Sequence, residues 1–285
     1  MAPYLKMNLQ ERCPLIQTFK YPLLCFFVLT IAILGRAEAQ QSSISYEHPE
    51  RPPSLQELLE WKEKFTYEVR YSFFKVGEVE TEIVRDTTYE GKRLWWLRTV
   101  ITSNSSIPFV GEEENHYNTF FVETDTLPYT RLYWRDNVDE EEYNAERFIF
   151  NYEQEKVFLS ENGEPTDTLE LTEPSTSGQL IFMYSRLFAG TEKAYSLPVY
   201  LEGEKGYIDV INSRKTEMRE YKAFPEAVTT YFTEGDANIE GPFGFSGEFK
   251  AWYRADDLRL PLEAHAKVWL GNVKVKLIDY KKERR

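Results

Sequence analysis

The sequence is poor in the residues that most exported enzymes and metal sites depend on. It has two cysteines, Cys13 and Cys25, and three histidines, His48, His116 and His265. Both cysteines fall in the N-terminal leader described below. The remaining chain therefore has no disulfide, no thiolate nucleophile and no Cys-based zinc or iron–sulfur site. The histidines have no second His at metal-ligand spacing. No G-x-S-x-G pentapeptide is present, so a hydrolase nucleophile elbow is excluded. No H-E-x-x-H is present either, and 241-GPFGFSGEFK-250 has the glycines of a phosphate loop without its Lys-Ser/Thr. Basic charge is scarce as well, with 34 Lys and Arg against 47 Asp and Glu. A net charge of −13 repels phosphate backbones and anionic membrane surfaces, which excludes a general nucleic-acid binder.

Long apolar runs are also missing. The longest, Leu23 to Leu34, spans 12 residues, short of the roughly 20 that a membrane-spanning helix requires. It follows Lys6, Arg12 and Lys20 and precedes Ala37-Glu38-Ala39. Charged n-region, short h-region and A-x-A site together predict a signal peptide over residues 1–39, cleaved between Ala39 and Gln40. The predicted product is exported to the periplasm or outer cell envelope of a Gram-negative bacterium. It is soluble there and keeps no stable membrane span.

What is abundant is aromatic and alternating. Phe, Tyr and Trp make up 15 % of the chain, enough to build a core without staples. Residues 40–54 are polar and carry Pro49, Pro52 and Pro53, so they read as a flexible linker. Residues 55–285 read as a single β-rich domain. It opens with a short helix in 55-LQELLEW-61, where Ser54 is placed to cap.

From Phe65 the period is two. Phe65, Tyr67, Val69, Tyr71 and Phe73 alternate with Thr66, Glu68, Arg70 and Ser72, which predicts a half-buried strand. Strands recur about every ten residues to the C-terminus, with no βαβ alternation. Residues 206–212 and 215–221 read as two of them. One segment breaks the rhythm. Residues 176–189, TSGQLIFMYSRLFA, put Leu180, Met183, Tyr184 and Leu187 on one helical face, with Ser175 or Ser177 as cap and Gly190 as stop. That face is expected to pack on the sheet, with Gln179 and Arg186 toward its edges. The expected fold is all-β dominated: a strongly curved antiparallel sheet or incomplete β-barrel with one amphipathic helix packed on it.

Three acidic clusters stand out as candidate sites. Glu112-Glu113-Glu114 before His116 reads as a solvated loop entering a strand. Asp136 to Glu142 lacks the Gly and distal Glu register of a calcium loop. In 252-WYRADDLRLP-261, Asp256, Asp257, Arg259 and Pro261 suit a structural turn: Asp holds its own backbone, Arg pairs nearby, and Pro starts the next strand. No catalytic residue, metal ligand or cofactor site is expected.

With these residues in place, the chain resembles the domain of unknown function 3108 family of exported bacterial proteins. The likeness is carried by Phe65, Tyr67, Val69, Tyr71 and Gly77, then by Tyr184, Arg186 and Gly190, and then by Trp252, Asp256, Arg259, Pro261 and Gly271, with Asp257 as an alternative register. It covers about residues 60–280 and is loosest between 105 and 170. The resemblance implies a β-rich envelope domain and brings no activity or ligand with it. Two non-enzymatic readings result. One is a carrier that binds an apolar or lipid ligand on the concave sheet face. The other is a structural or assembly factor that docks on an outer-membrane protein partner through a sheet edge.

Overall fold

The computed structural model describes residues 51–89, 91–103, 114–137, 145–173, 175–241, 245–268 and 271–285. The predicted leader and its cleavage point at Ala39 and Gln40 lie outside them. Ser54 turns the extended chain into a helix. Its hydroxyl accepts from the Glu57 N–H at 3.2 Å, and the Glu57 carboxylate accepts from the Ser54 N–H at 2.8 Å. This reciprocal pair is a capping box. The helix, α1 (Leu55–Leu59), buries Leu55, Leu58 and Leu59.

The rest is mostly strand: β1 (Trp61–Tyr71), β2 (Phe74–Tyr89), β3 (Lys92–Ser103), β4 (Glu114–Val122), β5 (Tyr129–Asn137), β6 (Ala145–Asn151), β7 (Lys156–Glu161), β8 (Glu164–Glu170), β9 (Ala194–Leu201), β10 (Glu204–Arg219), β11 (Val228–Gly241), β12 (Phe245–Arg254), β13 (Pro261–Val268) and β14 (Gly271–Arg284). All fourteen belong to one antiparallel sheet, in the order β8-β7-β6-β5-β4-β3-β2-β1-β14-β13-β12-β11-β10-β9. Chain neighbours pair throughout, with one break between β8 and β9. The first and last strands pair instead: Trp61 lies opposite Arg284, and Tyr71 opposite Val273. Two meanders are thus joined through the chain's two ends, and β8 and β9 become the sheet edges.

The break is occupied by a strap. Thr176 makes a parallel bridge to Val199, its N–H donating to the Pro198 carbonyl at 3.1 Å and its carbonyl accepting from Tyr200 at 2.9 Å. On the other side, the Ser177 N–H donates to the Thr130 hydroxyl on β5 at 3.1 Å. β9 is therefore linked to β5 by one short extended segment, and β6, β7 and β8 continue beyond it. The architecture is a strongly curved antiparallel sheet that stops short of a closed barrel.

The strap shortens the predicted helix. The helix, α2 (Ile181–Phe188), begins at Leu180 with no side-chain cap. Ser175 and Ser177 are fully buried and bond sideways, to the Tyr152 hydroxyl at 2.6 Å and the Thr119 hydroxyl at 2.8 Å. Their backbones serve the strap, so neither can cap. Gly190 does end the helix: its φ is +77°, and a Cβ there would lie 2.6 Å from the Tyr231 ring. Leu180, Met183, Tyr184 and Leu187 are buried, in one cluster with Phe65, Trp95, Leu97, Phe121 and Leu277. The inner sides of β5, β6 and β7 meet β9, β10 and β11 in a second cluster built on Tyr133, Phe148, Phe150, Val199 and Tyr200. The inside of the curve is filled by helix and aromatic side chains.

Three further expectations are corrected. Residues 206–212 and 215–221 are not two strands. β10 runs through both with an irregularity between Asn212 and Thr216. β8 carries no strand signal in the sequence, because its residues EPTDTLE show no apolar alternation. Phe73 leaves the alternating face: Tyr71 pairs with Phe74, so Phe73 sits in the hairpin turn and is 70 % exposed.

Candidate functional site

The turn cluster singled out from the sequence lies in the loop between β12 and β13. Asp256 to Leu260 join β12 to β13. The Asp256 carboxylate accepts from the Leu258 N–H at 3.1 Å, a local turn held by its own side chain. Burial pushes the Asp256 carboxyl upward, opposed by the charges of Arg254 and Arg186. Arg259 has φ +49° and is only 1 % exposed. Its guanidinium donates to backbone carbonyls of Ala189 at 3.1 Å, of Arg51 at 3.3 Å and of Asp256. It also lies 4.7 Å from the Tyr231 ring centroid. Burial lowers its pKa, with Tyr231 and Asp256 opposing. The side chain thereby ties the loop to the end of α2 and to the entry of α1. Asp257 faces a solvent-open hollow of about 420 Å³ with Arg51 and Trp61. Pro261 begins β13, and its carbonyl accepts from the Tyr67 hydroxyl at 3.0 Å.

Directly inside that loop sits a group the sequence reading misplaced. Arg186 does not lie at a sheet edge. It is fully buried, and so is Glu63 of β1. Two guanidinium nitrogens donate to the Glu63 carboxylate at 2.8 and 3.2 Å, and Nε donates to the Leu258 carbonyl at 2.9 Å. The Tyr280 hydroxyl of β14 donates to Glu63 at 2.6 Å. The rings of Phe65 and Phe182 stand 5.6 and 5.8 Å from the guanidinium carbon. A planar fork against a carboxylate is the geometry that lets two charges share a dry interior. The pair pins α2 to both strands at the chain's end-to-end seam. It is sealed from solvent, which suits a lock and not a reaction centre.

A second charged group lies on β13, with Glu263 buried and its partners Arg219 and His265 partly exposed. Glu263 on β13 accepts from Arg219 at 2.7 and 3.2 Å and lies 2.7 Å from the His265 ring. Trp252 covers both partners, at 4.1 Å from the Arg219 guanidinium and 4.7 Å from the His265 ring. Burial pushes the Glu263 carboxyl up, but the hydrogen bonds from Arg219 and His265 outweigh it and hold the group below its ordinary range. Lys276 completes the group at 4.0 Å and also lines a solvent-open hollow of about 700 Å³ with Tyr221 and Phe224. His116 pairs likewise with Glu114 at 2.6 Å, while Glu112 and Glu113 lie outside the described residues. Among the described residues no three His, Cys, Asp or Glu side chains are grouped to hold a metal.

No family model matches the chain, and no curated protein does. The chain is similar to several solved structures, among them these two. A β-barrel-like protein of the domain of unknown function DUF1849 from Brucella abortus shares 9 % identity at a TM-score of 0.48, over 79 % of this chain and 98 % of that one. A Bacteroides fragilis protein with a YmcC-like fold shares 10 % identity at a TM-score of 0.34, over 77 % of this chain and 95 % of that one.

The dense aromatics of β3, β4 and β5 divide between the two faces. Trp95, Phe121 and Tyr133 are core. Trp96, Phe120 and Trp134 form an outer ladder, with ring centroids 5.1 to 6.1 Å apart. Their indole N–H groups are taken up by Asn118 at 3.0 Å and Asp136 at 3.0 Å.

The remaining feature is the sheet edge. β8 is exposed along nearly its whole length and ends the strand order. The Leu171 N–H donates to the Glu155 carbonyl at 2.9 Å, so the alternation of the antiparallel ladder turns the Thr168 N–H away from β7, where it donates to the adjacent Asp167 carboxylate at 2.7 Å. Its outer side therefore faces away from β7. Glu164, Asp167 and Glu170 make this edge acidic, and Pro165 removes one backbone donor near its start. Among the described residues, no helix is long and apolar enough to cross a membrane.

Proposed function

We propose that the chain is an exported, non-enzymatic envelope protein that docks on a protein partner through the β8 edge. The observation that carries this reading is the pairing of a filled interior with an exposed seven-residue edge strand. An apolar ligand on the concave face would have to displace α2, whose buried face and Arg186 side chain already occupy that space. The β8 edge needs no rearrangement to accept an extended segment as a further strand. Its acidic residues favour a segment carrying Lys or Arg. Export rests on the leader read from the sequence.

The test places a photo-crosslinking amino acid at Thr166 in living cells, with and without Thr168→Pro. The Thr168 N–H bonds only to the neighbouring side chain, so proline removes an edge donor and leaves the β7–β8 ladder in place. A discrete protein adduct that disappears in the proline variant, at unchanged melting temperature, is expected. An adduct of equal yield in both, or none in either, would refute edge docking.

A further inference from the structure

The hairpin joining β1 to β2 carries two large apolar side chains outward. Phe73 is 70 % and Phe74 50 % exposed, and their ring centroids are 4.0 Å apart. They pack on each other and belong to neither core cluster. The turn is tight, with Ser72 at φ +54°, and Arg70 donates to the Phe73 carbonyl. The pair is therefore held beyond the end of the sheet by a short, braced turn. The adjoining β13–β14 hairpin leans on the same place: a Cβ at Gly271 would lie 3.2 Å from the Tyr71 ring.

Just behind the tip the charge reverses sign. Lys75, Arg70 and Lys274 stand opposite one another on three adjacent strands, and Lys267 lies near the end of the next. Arg70 pairs with Glu68 at 2.8 Å and Lys75 with Glu78 at 2.5 Å. Lys267 and Lys274 have no acidic partner among the described residues. A basic row beside exposed aromatics is unexpected in a chain of net charge −13.

We propose that this end of the sheet settles on an anionic lipid surface, Phe73 and Phe74 entering the headgroup layer and the basic row meeting the phosphates. The tip is convex and apolar, a shape that a deformable bilayer accepts without a preformed pocket. Charges farther off than about 8 Å are screened at physiological salt, so the local row governs the contact although the whole chain is acidic. The contact would be a reversible surface attachment. It uses a different face from β8 and does not depend on a protein partner.

The test is flotation of the purified protein with vesicles of phosphatidylethanolamine and phosphatidylglycerol, and with phosphatidylcholine vesicles as the neutral surface. Wild type and variants share the same N-terminus, so any contribution from it cancels. The wild type should float with the anionic vesicles, less so at high salt. Phe73→Ser with Phe74→Ser should weaken binding by at least about tenfold, given the apolar area withdrawn. Lys267→Glu with Lys274→Glu should weaken it on anionic vesicles only. Both pairs are exposed, so an unchanged melting temperature checks the fold. A Phe74→Trp variant gives a second readout, an emission blue shift on adding vesicles. A wild type that stays with the unbound fraction, or a double Phe variant that floats equally well, would overturn the proposal.

Discussion

Replacing Arg186 with Met removes one half of the buried pair while keeping an unbranched apolar stem against Phe65 and Phe182. Glu63 then loses two charge-assisted hydrogen bonds, at 2.8 and 3.2 Å, and the Leu258 carbonyl loses its donor. A carboxylate stranded in this way destabilises a fold by about 3–5 kcal/mol. Glu63→Leu should cost a similar amount by stranding the guanidinium. Joining the two changes should recover most of the loss, because a well-packed apolar pair is often neutral or better than a buried ion pair. The two sites are in direct contact, so the double-mutant cycle should show a coupling of several kcal/mol, well above the roughly 0.3–0.5 kcal/mol scatter of independent sites. The assay is urea unfolding by linear extrapolation, with the slope checked for constancy. If the single variants are too unstable to fold, a folded double variant reports the same coupling. Single changes costing under about 1 kcal/mol, or a double variant no more stable than the worse single, would show that the pair does not hold α2 in place.

Other outcomes follow from particular environments. Burial raises the Glu146 carboxyl to about 7, and one of its oxygens is buried without a partner among the described residues. The native state therefore binds a proton that the unfolded chain releases above about 4.3, so stability should fall as pH rises from there to about 7 and then level off. Glu146→Gln should flatten that slope in pH-dependent denaturation and stabilise by about 1–2 kcal/mol above neutrality, after allowance for solvent screening. Leu187→Ala should lower the denaturation midpoint by an amount equivalent to about 2–4 kcal/mol; an unchanged midpoint and slope would place that face outside the core. Arg259→Lys keeps the charge but loses the planar fork that reaches three carbonyls, and should cost about 1–3 kcal/mol by the same measurement. If it abolished function in cells at wild-type melting temperature and abundance, the loop would be a working site and not a tie.

Local chemistry made parts of this protein readable from sequence. The alternation at Phe65 and Tyr67, the Ser54 cap, the buried stripe Leu180, Met183, Tyr184 and Leu187, and the Gly190 stop each depend on residues within a few positions of one another. So does the conclusion that the sheet is antiparallel and curved, since evenly spaced strands without intervening helices leave few alternatives. Partners distant in the chain decided the rest. Arg186 looks like a surface residue on a helix edge until Glu63, 123 positions away, supplies the carboxylate that makes its burial tolerable. The strap took Ser175 and Ser177 from the helix because their backbones are engaged by Thr130 on β5 while Thr176 between them bridges to β9. β8 has no apolar face to announce it and exists because β7 gives it a ladder. The seam between β1 and β14 joins Trp61 to Arg284, and no local pattern encodes it. Periodicity records which side of an element is apolar; only the folded chain fixes what that side, and each buried charge, will meet.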